Sequence, residues 1–367
     1  MPATNIPFGD PKAQKKWSTS LFLDITRQSY FDKRFVGADE NKVIQRLTDL
    51  ESEAGDTISF DLSLQLRGRP TIGDNRLEGS EEQLRFATDT ISIDQMRHAV
   101  SAGGKMTRKR TVHNMRTIAR TKLSEYWSRY LDELFFIYMS GARGINEDYF
   151  EPTTYAGHAG NAIQAPDSDH LMYGGDATAK SDLDATDKMT KTVIEKAEVK
   201  ARMMRATNPN AARMVPIDID GAKHFVCLMS TFAEHDLRTA DTTGWIDIQK
   251  AAAAAEGRKN PIFRGGLGMI KNCVLHCHES VIRFNDYGAG SDVAASRALF
   301  MGRQAGAVAY GTTGRGRRLS WEEDPDRDYG NEPSVAAGLI IGIKKPRFEN
   351  RDFGVIALDT AAADPNA

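Results

Sequence analysis

The sequence predicts an α+β fold built around one long helix, and three stretches of the chain support this class. Apolar and polar residues alternate from Ile58 to Leu66, which is the period of a half-buried β-strand. Apolar residues recur every three or four positions from Thr107 to Ser140, which is the period of a helix. Beyond Gly268 the chain is rich in strand-like apolar runs. Strands and helices in separate blocks are typical of the α+β class.

The first part of the chain predicts an arm. The sequence has 367 residues, which is more than one compact core usually holds, so we expect several subdomains or an extended shape. Residues 1–56 are polar with scattered apolar anchors, and we expect them to lie on the rest of the chain or on a neighbouring subunit. Within this arm, Val43, Leu47 and Leu50 form one apolar stripe, which predicts a short helix over Asn41 to Glu53.

A long β-hairpin follows the arm. The strand that begins at Ile58 pairs with a second one from Leu84 to Ile93, and the segment between them is rich in glycine and charge. Two interpretations stay open: a mobile solvent loop, or a projecting arm whose charges meet a neighbouring subunit. The candidate contact residues in this tip are Arg67, Arg69, Arg76, Glu78, Glu81 and Glu82.

The longest predicted element is the helix from Thr107 to Ser140. At 1.5 Å per residue it would be about 50 Å long, so we expect a spine that crosses the molecule. Basic side chains fill the faces that the apolar stripe leaves. They form either a solvated face or a face turned toward nucleic acid or a neighbour.

The remaining chain alternates between irregular, helical and strand-like segments. We predict an irregular insertion over 145–187, and a strand over Ala222 to Ser230 that is covered on both sides. Further helices are predicted over 188–206, 232–237 and 246–256, and further strands over 269–284, 299–309, 335–343 and 353–358.

A second charged segment lies in a predicted glycine-rich loop over 311–330. Opposite charges on one exposed loop cancel at long range and make directional contacts at short range. The segment is either a self-paired solvent loop or a contact loop that meets equivalent loops around a symmetry axis. Its candidate contact residues are Arg315, Arg317, Arg318, Glu322, Glu323 and Asp324.

Composition excludes several classes of protein. Forty-eight basic and fifty acidic side chains give a formal charge of −2, which speaks against a dedicated nucleic-acid binder. No apolar run approaches the roughly 20 residues of a membrane span, and the polar start predicts no secretion signal. Three cysteines cannot form a disulfide framework, which predicts a reducing compartment.

The best candidates for metal ligands are Cys273, His276, Cys277 and His278. On a strand the cysteines and the histidines point to opposite faces, so the four side chains could not surround one tetrahedral ion. A structural core is therefore the preferred interpretation, and a metal-dependent hydrolase remains an alternative. The glycine-rich segments lack the Lys-Ser/Thr pair of a phosphate loop. We therefore predict no catalytic residue, no metal and no cofactor.

The order of these elements resembles the major capsid proteins of tailed bacteriophages, which have the Hong Kong 97-like fold. The segments Phe232 to Arg238, Asn260 to Gly265 and Ala298 to Ala305 look like parts of the capsid proteins of N4-type podoviruses. The segment Gly342 to Phe348 fits the ending of that family. The similarity spans about Trp17 to Thr360.

The resemblance implies a division of the chain into arm, loop, spine, and peripheral and axial domains. In order along the sequence, it implies an N-terminal arm (1–56), the extended loop with peripheral-domain strands (57–104), the spine helix of the peripheral domain (105–144), an insertion (145–187), the axial domain (188–268), and the returning peripheral strands with the charged loop 311–330 (269–367).

The resemblance also implies a structural function without enzymatic activity. The chain would self-assemble into hexamers and pentamers of an icosahedral shell that encloses phage double-stranded DNA, with weak non-specific contact to it. Expected partners are further copies, a scaffolding protein, a portal and a decoration protein, with no membrane. The expected location is the virion, assembled in the host bacterial cytoplasm. An encapsulin-like compartment shell is the alternative within the same fold.

Overall fold

The computed structural model describes Ile25 and residues 28–51, 55–63, 66, 68–84, 86–111, 114–207, 213–219, 221–240, 261–263, 266–312, 319–324, 329 and 331–365. The helices in these ranges are α1 (Tyr30–Arg34), α2 (Lys105–Arg110), α3 (Met115–Ser140), α4 (Lys191–Thr207) and α5 (Thr231–Ala240). None of the described helices is long and apolar enough to span a bilayer. Short 3-10 turns lie at Asp49–Glu51, Ser168–His170 and Pro261–Phe263.

The described strands are β1 (Val36–Gly37), β2 (Ile44–Leu47), β3 (Thr57–Ser63), β4 (Phe86–Ser92), β5 (Asp94–Ser101), β6 (Gly157–His158), β7 (Asn161–Ala162), β8 (Leu171–Tyr173), β9 (Ile217–Ile219), β10 (Ala222–Met229), β11 (Gly268–Ile270), β12 (Cys273–Cys277), β13 (Arg283–Tyr287), β14 (Val293–Met301), β15 (Gly306–Gly311), β16 (Leu319–Asp324), β17 (Ser334–Lys344), β18 (Arg347–Phe348), β19 (Arg351–Asp352) and β20 (Val355–Ala361).

The first of two large sheets has six strands. Its order is β1-β2-β15-β17-β16, and β5 pairs with the other side of β17. The pairing is antiparallel except where β2 runs parallel to β1 and β15. The predicted helix over 41–53 is wrong, because residues 44–47 form β2, and of the residues described there only 49–51 make a helical turn.

The second sheet has eight strands and collects distant parts of the chain. Its order is β11-β12-β10-β14-β20-β8, with β13 on β14 and β9 on β10. The predicted boundary between 188–268 and 269–367 therefore runs through this sheet, because β10 pairs with β12 and β14 from beyond it. The insertion 145–187 contributes β8 to the same sheet, parallel to β20.

The main core lies between the long helix and the two sheets. One face of β10 buries Val226 and Leu228 together with α3 and with residues of the first sheet. The opposite face buries Phe225 and Cys227 against α4 and α5. This confirms the prediction that the strand over Ala222 to Ser230 is covered on both sides. Helix α5 confirms the predicted helix over 232–237, whereas the predicted helix over 246–256 lies outside the described residues.

The predicted spine helix is two helices, not one. The chain is extended at Thr111, and α3 begins anew after Asn114, whose side chain accepts a hydrogen bond from the Thr117 backbone N–H at 3.3 Å. This is the usual geometry of a helix N-cap. The helix ends at Gly141, which has φ of +69° and donates its N–H to the Ile137 carbonyl. Over its 26 residues, α3 is about 39 Å long instead of 50 Å.

Candidate inter-subunit contact site

The base of the β3–β4 hairpin is fixed to the first sheet. The two strands pair antiparallel from Thr57 with Ser92 to Ser63 with Phe86, which confirms the predicted hairpin. Exposure alternates residue by residue along β3, as the apolar period of two predicts. At the base, Ile91 is buried against Ala309 of β15.

Beyond this base, the hairpin tip has no core of its own. We define the tip as the described residues 66 and 68–84, and within it every residue except Thr71 is classed as exposed. The exposed side chains include large apolar ones: Ile72 is 77% and Leu77 is 62% exposed. Leu66 and Leu84 are similarly open to solvent. Four large apolar side chains open to solvent within one tip make it a candidate contact surface.

The charged residues of the tip contact one another and the tip backbone. Arg76 forms an ion pair with Glu78, and both side chains are more than 70% exposed. A carboxylate oxygen of Glu81 accepts from the Gly79 N–H at 2.7 Å, and one of Glu82 accepts from the Gly68 N–H. Arg69 also lies in the tip and is exposed. The structure thus brings the predicted residues of the tip onto one loop, while Arg67 lies outside the described residues.

The second predicted contact segment is partly a strand. Residues 319–324 form β16, which pairs antiparallel with β17 from Leu319 with Leu339 to Asp324 with Ser334. Glu322, Glu323 and Asp324 therefore stand on a strand at the end of the described strand order, and the prediction of one continuous loop over 311–330 is wrong there. Arg315, Arg317 and Arg318 lie outside the described residues.

The cysteine and histidine cluster is built as a core. Cys273 and Cys277 pack on the side of α4 and α5, whereas His276 and His278 lie against aromatic rings of α1 and α3. The predicted split between two faces is confirmed. Burial raises the pKa of Cys277 to about 12, which disfavours the thiolate that a metal needs. Among the described residues, no group of three or more His, Cys, Asp or Glu side chains could hold a metal ion.

His276 is held as a neutral imidazole. Its Nε2 donates to the Ile262 carbonyl at 2.8 Å, and its ring meets Tyr30 and Phe35 edge to face. Burial lowers the pKa of His276 to about 4. The side chain therefore ties the second sheet to Tyr30 and Phe35 of the arm.

One anchoring residue was not predicted from the sequence. Asp132 of α3 accepts hydrogen bonds from the Ser29 hydroxyl at 2.7 Å and from the Tyr30 and Phe31 backbone N–H groups at 2.8 and 3.0 Å. Burial raises the pKa of Asp132 to about 6, and these hydrogen bonds oppose the rise. The root of the arm is therefore fixed to α3. The available signal was an acidic pair, Asp132 and Glu133, inside an otherwise apolar stretch of helix.

Comparisons with known proteins agree on one family. The profile of the phage capsid protein family matches residues 5–364. The major capsid protein of Pseudomonas phage KPP25 is 27% identical over 381 aligned positions, which cover 94% of each chain. The capsid of Ralstonia phage GP4 is 60% identical, covers both chains completely and has a TM-score of 0.88.

The fold extends to more distant relatives. The capsid of Cyanophage Pam1 has a TM-score of 0.69 at 22% identity, covering 92% of this chain and 93% of that one. The α+β, Hong Kong 97-like fold predicted from the sequence is thus confirmed, and the family match favours a phage shell over an encapsulin-like compartment. This chain belongs to the phage capsid protein family.

Proposed function

We propose that this structural protein assembles into hexamers and pentamers of an icosahedral shell that encloses phage double-stranded DNA. The observation that carries the proposal is the hairpin tip, which is exposed, apolar and charged and packs on no core of its own chain. Full burial of one large apolar side chain contributes about 1.5–3 kcal/mol. A few such side chains per tip, repeated over many copies, give modest single contacts and a strong assembly.

The charged residues of the tip give direction to this contact. The Arg76–Glu78 pair is exposed, and exposed ion pairs contribute about 0–1 kcal/mol, so little is lost when a neighbour exchanges partners with it. We assign inter-subunit contacts to Arg67, Arg69, Arg76, Glu78, Glu81 and Glu82. Apolar burial supplies the free energy of this contact, and charge complementarity selects its register.

The acidic strand and the basic segment before it form the second proposed contact. Glu322, Glu323 and Asp324 follow Arg315, Arg317 and Arg318 closely in sequence, so both signs are available within one segment. Equivalent segments around the three-fold region between capsomers would pair opposite charges. The position of β16 at the end of the sheet order supports this role.

The two sheets suggest a revised domain assignment. We assign the first sheet, α2, α3 and the hairpin to the peripheral domain, and the second sheet with α4 and α5 to the axial domain. The sheet pairing supports this division better than a boundary at residue 268, because β10, β12, β14 and β20 form one sheet. Membership of the N4-type group stays a prediction.

The proposed partners are a separate scaffolding protein, a portal and a decoration protein. The chain would assemble in the host cytoplasm and remain in the virion. The proposal includes assembly without large internal cleavage. Mass spectrometry of mature particles should find a chain that begins close to Met1. A mature chain that starts far beyond Met1 contradicts assembly without large internal cleavage.

The experiment that tests the tip removes its apolar side chains. The variant Ile72→Ser with Leu77→Ser should fold like wild type and form far fewer particles, because the tip loses the apolar contact with its neighbour. The matched control is Val199→Ser with Met203→Ser on α4, whose side chains are 57% and 50% exposed. Electron microscopy and sedimentation measure particles, and circular dichroism measures folding. Equal assembly of the tip variant and the control contradicts the proposal.

A charge variant tests the direction of the contact separately. Glu81→Lys with Glu82→Lys reverses two exposed charges of the tip and should impair particle formation without unfolding the subunit. Normal particles from this variant show that the tip carboxylates do not select the contact.

A further inference from the structure

The insertion 145–187 runs between the base of the β3–β4 hairpin and the second sheet. Its later part contributes β8 to the second sheet, where Leu171 lies opposite Ala357 of β20. Its earlier part contains β6 and β7, which pair with each other antiparallel and belong to neither large sheet. We call β6, β7 and the turn between them the clasp (157–162). The insertion is thus part of the second sheet at one end and carries a small hairpin at the other.

The clasp binds the base of the β3–β4 hairpin through one buried amide. The Nδ2 of Asn161 donates to the Ser92 carbonyl at 2.7 Å, and its Oδ1 accepts from the Ser92 backbone N–H at 3.0 Å. One side chain therefore binds both backbone groups of Ser92, as a residue of an antiparallel neighbouring strand does. Ser92 is the last residue of β4, and Asn161 is only 5% exposed. The amide thus binds the chain at the point where the hairpin joins the first sheet.

The clasp is itself held by the long helix α3. The Tyr138 hydroxyl accepts from the His158 N–H at 2.7 Å and donates to the Asn161 carbonyl at 2.9 Å. Tyr138 is buried in the main core of the molecule. Buried polar networks whose members all have partners are rigid. The clasp is therefore fixed to α3, and through the Asn161 amide it fixes Ser92 as well.

The first sheet leaves room for this contact at one glycine. A Cβ at Gly342 of β17 would lie 2.0 Å from the Ser92 carbonyl oxygen and 3.3 Å from the Asn161 Nδ2. A side chain at this position would push the Ser92 carbonyl away from Asn161, so the close approach of the three segments requires glycine. The first sheet and the clasp thus meet at the same backbone carbonyl.

Two further contacts hold β4 on the first sheet itself. Ile91 packs with Ala309 of β15, and Lys344 of β17 forms an ion pair with Asp89. These contacts seat the hairpin on the sheet, whereas Asn161 connects it to an element outside the sheet. A hairpin attached to one sheet alone can rock on it, and a second attachment outside the sheet fixes its direction.

Small rotations at the base are amplified at the tip. β4 has seven residues, so at about 3.3 Å per residue the tip begins about 23 Å from Ser92. A rotation of about 10° at Ser92 therefore moves the start of the tip by about 4 Å. A gap of about 0.5–1 Å already costs apolar contacts roughly a quarter to a half of their attraction. The direction fixed at Ser92 thus decides whether the tip meets the surface that covers it.

We propose that Asn161 positions the β3–β4 hairpin, so that the insertion sets the direction in which each subunit presents its tip. The inference rests on the proposed function, because the direction of the tip matters only if the tip contacts a neighbouring subunit. It gives the insertion a role in assembly. Asn161 is a positioning residue, since it acts through Ser92 and not through a contact of its own with the neighbour.

The test compares two asparagines with the same pattern of hydrogen bonds. Asn146, which is 1% exposed, donates to the Val281 carbonyl at 3.1 Å and accepts from the Arg283 N–H at 2.9 Å. Its partners lie at the start of β13, in the second sheet. Asn161→Ala and Asn146→Ala therefore each remove two hydrogen bonds of a buried amide. A merely structural role of Asn161 predicts that both variants lower the urea midpoint and that neither changes the direction of the hairpin.

Pulsed electron dipolar spectroscopy of the unassembled, full-length chain measures that direction. Nitroxide labels are placed on Ser63→Cys, at the outer end of β3, and on Thr121→Cys of α3, both at exposed positions. Cys277→Ser removes the half-buried thiol, and the remaining two cysteines are buried. With Asn161→Ala the distribution of distances between the labels should widen by about 4 Å, the displacement that a rotation of about 10° gives. With Asn146→Ala it should keep its wild-type width.

Two outcomes of this measurement overturn the proposal. The first is an equal width in wild type and Asn161→Ala, which shows that the remaining contacts of the base fix the hairpin. The second is equal broadening in Asn161→Ala and Asn146→Ala, which shows a general loosening of the fold.

A second measurement needs no variant. Amides at strand ends normally exchange their hydrogens quickly, but the Ser92 N–H is bound by the buried Asn161 amide. It should exchange about a hundredfold or more slower than the exposed amide of Ile72 in the tip. Mass spectrometry with fragmentation that resolves single amides measures both rates. Similar rates overturn the proposal, because Asn161 then does not hold Ser92.

The failure of the proposed function remains distinguishable from the failure of this inference. A wild-type chain that forms no particles refutes the shell function. The dipolar and exchange measurements use the unassembled chain, so they decide the role of Asn161 independently of assembly.

Discussion

A buried ion pair joins the long helix α3 to the second sheet. Arg297 of β14 donates from Nε and Nη2 to the two carboxylate oxygens of Asp359 on β20, both at 2.7 Å. Its Nη1 donates to the carbonyl of Ser140, the last residue of α3, at 3.1 Å. The Tyr287 hydroxyl donates to the same carboxylate at 2.6 Å. The Arg297 guanidinium therefore donates hydrogen bonds both to a strand of the second sheet and to the last residue of α3.

The variant Arg297→Met should destabilise the subunit by about 3–5 kcal/mol. The reason is that the Asp359 side chain, which is 1% exposed, would lose its guanidinium partner and keep only the Tyr287 hydroxyl among these donors. Against a typical total of about 5–15 kcal/mol, such a loss leaves a marginal subunit. The double variant Arg297→Met with Asp359→Leu removes both charges. The free energy of unfolding of the double variant should lie within about 2 kcal/mol of the wild-type value. The Ser140 carbonyl and the Tyr287 hydroxyl each lose one hydrogen bond, at a cost of about 1 kcal/mol per bond.

The assay is urea unfolding of the unassembled chain, followed by circular dichroism. The control is Lys122→Met, which breaks the exposed pair with Glu125 and should change stability by at most about 1 kcal/mol. A loss below about 1 kcal/mol for Arg297→Met refutes the reasoning. So does a double variant as unstable as the single one, since it would show that lost packing, not the stranded charge, sets the cost.

Three further predictions use the same assay. Gly141→Ala should cost more than about 2 kcal/mol, because φ is +69° and the new Cβ would lie 2.1 Å from the Gln164 carbonyl oxygen; an unchanged urea midpoint contradicts this. Asp132→Ala should cost about 1–3 kcal/mol and speed proteolysis of the arm, because three donors lose their acceptor. Folding lowers the pKa of His276 from 6.5 to about 4. As the pH falls, the unfolded chain therefore takes up a proton at a higher pH than the folded chain does. Between pH 7 and pH 4 wild type should therefore lose about 3 kcal/mol more than His276→Leu, and parallel pH profiles refute this.

Periodicity predicted the elements whose burial is repeated along the chain. The hairpin strand β3 alternates between solvent and the first sheet, so its period of two is visible in the sequence. The continuous apolar run at Phe225 to Leu228 marked β10, which is buried on both faces. Such elements can be predicted because the apolar or polar character of each residue matches the burial of its position.

The errors arose where distant contacts or single residues decide the structure. The stripe of Val43, Leu47 and Leu50 suits a helix, but β2 forms because it pairs in parallel with β15, far along the chain. The apolar period continues across residue 111. The sequence pattern therefore does not show that the helix is interrupted there and begins again after Asn114. The acidic residues of β16 are typical of a loop by composition. They form a strand because their backbone pairs with β17, and the local sequence does not show this pairing.

The sequence predicted which charged residues belong to the candidate contact site, but not the hydrogen bonds that they form. Glu81 and Glu82 stood out in a segment with no core, yet their nearest partners are backbone N–H groups of Gly79 and Gly68. In the proposed shell, the surface that covers Ile72 and Leu77 belongs to another copy, so one chain does not display it. The anchor Asp132 was missed because three of its partners lie about a hundred residues away.

Electron cryo-microscopy of assembled particles tests the central claim most directly. The account predicts a closed icosahedral shell of hexamers and pentamers in which residues 68–84 of each subunit lie against a neighbouring subunit and bury Ile72 and Leu77. Particles in which this tip stays open to solvent, or folds back onto its own subunit, would contradict the claim that the hairpin tip joins the shell.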